Sequence, residues 1–226
     1  MPAAAHLLFA GSVLWCLLWL LVATRNRWFV LGVVALGVVH WILAERGIYA
    51  NTTAFPPPQL LLLAPPVIAL LIVFALPKGR AWLRGLPLFA LTALHALRLP
   101  VELVLHDAFT AGLVPQDMTY SGFNFDIVSG ISAVLMMAWM RSKHPPGRAL
   151  LIVWNCVCLV LLGIVVATAA LSIPSAVQRM NFDAPNVLVT ATPWVLLPAV
   201  LVPAVLFAHA AALVGLAGKR SATGLR

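Results

Sequence analysis

Seven stretches of this chain stay apolar for about the length of a bilayer crossing, and few charges interrupt them. They run approximately over residues 6–24, 28–46, 59–77, 86–108, 124–140, 149–171 and 190–216. A membrane-crossing helix needs about 20 predominantly apolar residues. The pattern therefore predicts an all-α, polytopic integral membrane protein, a seven-helix transmembrane bundle forming one domain over residues 1–226. The fifth block is short and the seventh long, which blurs their ends. Strands of a membrane barrel would alternate polar and apolar residues in short segments, and these blocks do not. Only 9% of residues are charged, against about 25% in soluble domains, which argues against a soluble fold.

Charge placement predicts the orientation. A signal peptide carries positive charge ahead of its apolar run. The first block has none before it, and Arg25 and Arg27 follow it. It therefore reads as an ordinary first crossing. Arg25 and Arg27, then Lys78, Arg80 and Arg84, then Arg141, Lys143 and Arg148 fall in alternate connections, and Lys219, Arg220 and Arg226 in the tail. Arg46 and Arg179 lie on the opposite side. Short loops rich in Lys and Arg stay cytoplasmic. Seven crossings with the N-terminus outside and the C-terminus cytoplasmic satisfy this distribution, and a bacterial cytoplasmic (inner) membrane is the expected location. The net charge of +8 sits in juxtamembrane loops rather than on a recognition helix, so nucleic acid is not an expected partner. Membrane lipids are, and self-association into a homo-oligomer stays open. Cys16, Cys156 and Cys158 all lie in apolar blocks and read as small buried side chains.

The fourth block holds the chemistry. Its segment HALRLPVELVLH, residues 95–106, places His95, Arg98, Glu102 and His106 at spacings of three, four and four. On a regular helix these positions share an arc of about 80°. Charges inside a membrane are costly and face a protein interior or a wet cavity. Arg98 and Glu102, four apart, are expected to pair across one turn. Pro100 between them removes a backbone donor. His40 and Glu45 of the second block and Asp126 of the fifth are expected at matching depth, forming a polar chamber open to the outside. Asn155 and His209 read instead as inner-half residues serving packing or the inner end of a path. Asn124 with Asp126, and Asn181 with Asp183, read as helix caps at the outer mouth. Asp183-Ala-Pro185-Asn186 reads as a helix start, and the connection 112–122 as a flap over the opening. The prolines at 65 and 66 are expected to bend the third helix.

These residues suggest proton-linked transport or handling of a small or anionic solute. Arg98 would attract the anionic group, and Glu102 and His106 would exchange protons. A membrane-embedded enzyme acting on a lipid or amphiphile is the first alternative, with Glu102 or a histidine as acid–base. A non-catalytic scaffold or sensor is the second. Haem or metal ligated by histidine stays open as a cofactor, although His95 and His106 would stand about 16 Å apart on one straight helix and would each need partners from elsewhere.

Overall fold

The computed structural model describes residues 1–218 of the chain, so the basic tail at Lys219, Arg220 and Arg226 lies outside the described residues. Within them every regular element is helical. The first block becomes α1 (Ala3–Thr24) and the second α2 (Arg27–Glu45). Between them Arg25 adopts a left-handed conformation, and the Asn26 side chain accepts the N–H groups of Trp28 and Phe29, a cap that restarts the helix.

The third block does not form one continuous helix. It opens with a 3-10 turn at Pro58–Leu62, continues as α3 (Ala64–Ala75), and bends by 95° into α4 (Pro77–Arg84). The expected bend at Pro65-Pro66 is absent because both prolines sit in the first turn of α3. Their missing N–H groups cost nothing there. The break falls at Leu76–Pro77 instead, where Leu76 is extended, as a residue before proline prefers. Trp82 anchors α4, its ring centroid 5.7 Å from both Phe29 and Phe207.

The fourth block is one long helical run in three pieces: α5 (Leu88–Leu94), a 3-10 turn at His95–Leu97, and α6 (Arg98–Thr110). Then come α7 (Asp126–Met140) and α8 (Arg148–Ser172). The last block starts later than the expected residue 190. A π-helical turn at Leu197–Leu201 leads into α9 (Val202–Ala217). No helix starts at Asp183. Asn186 is instead tied back to α8, its N–H to the Ser172 carbonyl and its side chain to the Ala169 carbonyl.

Five of these runs are long and apolar enough to cross a membrane, and a sixth if the bent α3–α4 pair counts as one. At 15 residues α7 is shorter. The run 88–110 and the run 197–217 form the centre, each 67% buried over its most apolar window, whereas α2 is only 11% buried. Helix α1 packs chiefly on α5 and α6 rather than on α2, burying Phe9, Cys16 and Leu20. Its opposite face exposes Leu7, Leu14 and Leu18, and α8 exposes Val153, Val157 and Val160. Apolar faces this continuous belong against lipid or another chain.

One close approach positions the site. A Cβ added at Gly130 would stand 2.5 Å from the backbone nitrogen of Leu99, so α6 and α7 meet with nothing between them. Asp126 lies one turn before Gly130, and Arg98 immediately precedes Leu99. The contact brings the two charges together.

Candidate functional site

Arg98 is 2% exposed and Asp126 4%. They form a two-pronged ion pair, in which Nε donates to Oδ2 at 2.6 Å and Nη2 donates to Oδ1. Nη2 also donates to the Cys158 carbonyl at 3.0 Å, and Nη1 to His209 Nε2 at 3.2 Å. Guanidinium has no acceptor, so His209 Nε2 must accept and the ring proton sits on Nδ1. That nitrogen faces Asn155 Oδ1 at 3.0 Å, and Asn155 Nδ2 donates onward to the Leu151 carbonyl. The expected Arg98–Glu102 pair is therefore not formed. A side chain leans toward the N-terminal end of its own helix, which carries Arg98 away from Glu102 and toward α8 and α9. The ion pair with Asp126 is the only one among the described residues.

Glu102, also 2% exposed, is held by Asn124. The Asn124 Nδ2 group lies 2.8 Å from each carboxylate oxygen and 2.9 Å from the Met118 carbonyl, while Oδ1 accepts the Asp126 N–H. Asn124 thus accepts the first N–H of α7 and also links Glu102 to the ion pair. The site is a continuous buried polar chain from Glu102 through Asn124, Asp126, Arg98 and His209 to Asn155.

His95 belongs to this neighbourhood without hydrogen-bonding to it. Its ring stacks on His209 with centroids 3.9 Å apart and meets the edge of Trp154 at 5.6 Å. Both its nitrogens are buried without a partner. The other expected members lie elsewhere. His106 is half-buried, stacked on Tyr120 and 3.4 Å from Ser121 Oγ. His40 bonds Tyr49 at 2.5 Å, and burial pushes the Tyr49 phenol up to about 12. Glu45 is exposed and accepts from Thr192. Asn181 donates to Ser172 Oγ at 2.9 Å, and Asp183 is exposed and caps no helix. Of the stripe, His95 and Arg98 both meet His209, Glu102 turns to Asn124, and His106 lies apart beside Tyr120.

Beside the polar chain lies a partly open cavity of about 350 Å³, lined chiefly by α3, α6, α8 and α9. Its walls are apolar, among them Val67, Leu162, Val166 and Leu201, and only Gln59, Arg98, Glu102 and Asp126 bring polar groups to its border. Met118, in the connection 112–122, lines one side. Gln59 is a residue that the sequence reading missed. Its Nε2 donates to the carbonyls of Tyr49 and Asn51 at 2.7 and 2.9 Å, leaving a buried Oε1 with no donor. Among the described residues no cluster of three or more His, Cys, Asp or Glu side chains is arranged to hold a metal ion.

The architecture is that of an all-helical protein with bilayer-length apolar helices around a buried ionisable chain and an adjoining apolar cavity. The chain belongs to the family described as a domain of unknown function, DUF8737, which matches residues 55–217. No curated protein and no solved structure matches it.

Proposed function

We propose that this is a seven-crossing membrane protein, N-terminus outside and C-terminus cytoplasmic, that transports or otherwise handles a small solute at the Glu102 cavity. The observation that carries this reading is the cavity itself, about 350 Å³ with apolar walls and Glu102 at its border. Ligand sites are typically concave, about 300–1,000 Å³, mostly apolar, with a few convergent polar groups. An ion pair serving only to join helices requires no such space beside it.

The orientation is supported by the meeting of basic connections at one end. Arg148 bonds the Ala217 carbonyl at 3.3 Å, and Arg141 lies 4.4 Å over the Phe89 ring. Clustered Arg and Lys mark the cytoplasmic side, and a bacterial inner membrane is the setting we assign on the same rule. The apolar walls favour a solute with an apolar body. Glu102, the bordering carboxylate that forms no ion pair among the described residues, is the group we assign to proton exchange.

The test is leaflet exchange of a spin-labelled single-chain lipid in sealed proteoliposomes, read by ascorbate reduction. The wild-type chain should accelerate exchange, and both Glu102→Gln and the cavity-filling Val166→Trp should abolish the acceleration at unchanged folded yield. Acceleration persisting in both variants would remove this reading. A lipid-directed enzyme is the second reading, favoured by the same pairing of a carboxylate with an apolar cleft. Turnover of extracted lipid by the detergent-solubilised protein would select it.

A further inference from the structure

We infer that the cavity takes a single-chain amphiphile with a primary ammonium head seated against Glu102. The inference rests on the cavity being a binding site, as proposed above, and identifies the class of its ligand.

The hydrogen-bonding capacity around the cavity is lopsided. Its donors are almost all engaged. Arg98 directs its N–H groups to Asp126, His209 and the Cys158 carbonyl, leaving one of them free. Both N–H bonds of the Gln59 amide go to backbone carbonyls. Apart from that one N–H, the unmet capacity consists of acceptors. Gln59 Oε1 has no donor, and the two Glu102 oxygens share the one Asn124 amide group, although a carboxylate can accept about four bonds.

Charge points the same way. Arg98 and Asp126 cancel at contact distance. Glu102 forms no ion pair among the described residues. An anionic head, expected when Arg98 was considered alone, would find that cation already engaged and would meet two carboxylates. A hydroxyl would supply a donor but no counter-charge for an ionised Glu102. An ammonium supplies three donors and the missing positive charge together. The alkyl chain would lie along Leu162, Val166 and Leu201.

The full-length protein in zwitterionic phosphatidylcholine nanodiscs is photolabelled with diazirine probes of equal chain length bearing an amine, an alcohol, a carboxylic acid or a trimethylammonium head. The labelled residues are then mapped by peptide mass spectrometry. The amine should label the α8 and α9 walls about tenfold more than the other three, the factor expected of one charge-assisted hydrogen bond. Glu102→Gln should bring the amine down to the level of the alcohol. Equal or stronger labelling by the alcohol, acid or trimethylammonium probe in the wild type overturns the assignment. So does an amine preference that survives Glu102→Gln. The probe comparison needs no variant and so stands even if Glu102→Gln does not fold. Labelling by another head group leaves the binding role of the cavity intact, whereas failure of all four probes to label the walls removes that role as well.

Discussion

Arg98, 2% exposed, makes four hydrogen bonds, to Asp126, His209 and the Cys158 carbonyl. A guanidinium in an apolar run needs a partner; from the sequence Glu102 is expected in that role and Asp126 in the same chamber, whereas Asn124 reads only as a helix cap. That Asp126 is the partner was not legible. The four-residue spacing rule favours an acid placed N-terminal to a base, and here the order is reversed. The long Arg98 side chain reaches back toward α8 and α9, where it meets His209 and Cys158. Asn155 and His209 were visible as polar residues in apolar helices, but counting from helix ends separated them from Arg98. Asp126→Asn should therefore leave a buried cation without its counter-charge and cost about 3–5 kcal/mol, seen as a lower Tm in detergent. Glu45→Gln, at an exposed carboxylate, should leave Tm nearly unchanged. Equal Tm values for the two variants would contradict a stabilising role for the Arg98–Asp126 pair.

At the scale of elements, the apolar blocks predicted where helices lie far better than where they break. Pro65-Pro66 and Pro77 look alike in sequence, yet the first pair opens α3 and Pro77 opens α4 after a sharp bend. The difference is position within the turn, which proline content alone does not reveal. Gly130 was equally silent, because only an intimate helix contact gives a glycine in an apolar run its importance. Adding a methyl group there forces α6 and α7 apart. Gly130→Ala should destabilise the protein by about 1–3 kcal/mol, again as a drop in Tm. Gly163, with no atom within 4 Å of an added Cβ, provides the contrast. Gly163→Ala should be neutral or stabilise by about 0.5–1 kcal/mol, the usual gain from replacing a mid-helix glycine.

For the molecule as a whole, the helical class was legible from composition and block length alone. The count of crossings is a finer matter: α3 is 12 residues and α7 is 15, both below the about 20 that a crossing usually needs. The proposed topology makes a direct prediction. In a background lacking Cys16, Cys156 and Cys158, Thr53→Cys should react with an impermeant maleimide on intact cells. Ser142→Cys should react only after permeabilisation. The opposite pattern would invert the orientation, and equal labelling of both would place the two loops on one side.

Helix α1 finds its main packing surface on α5 and α6, so in order of synthesis the first segment precedes its docking site by more than a whole hairpin. Ser12 and Thr24 close their hydroxyls on the carbonyls of Leu8 and Leu20, and need no neighbour in the meantime. Trp15, which later donates to the Ala93 carbonyl, gains its partner only when α5 arrives. Assembly on this plan runs out of sequence. The leading helix is complete before the run 88–110 that it packs against has been made, and its own hydroxyls need nothing from that run.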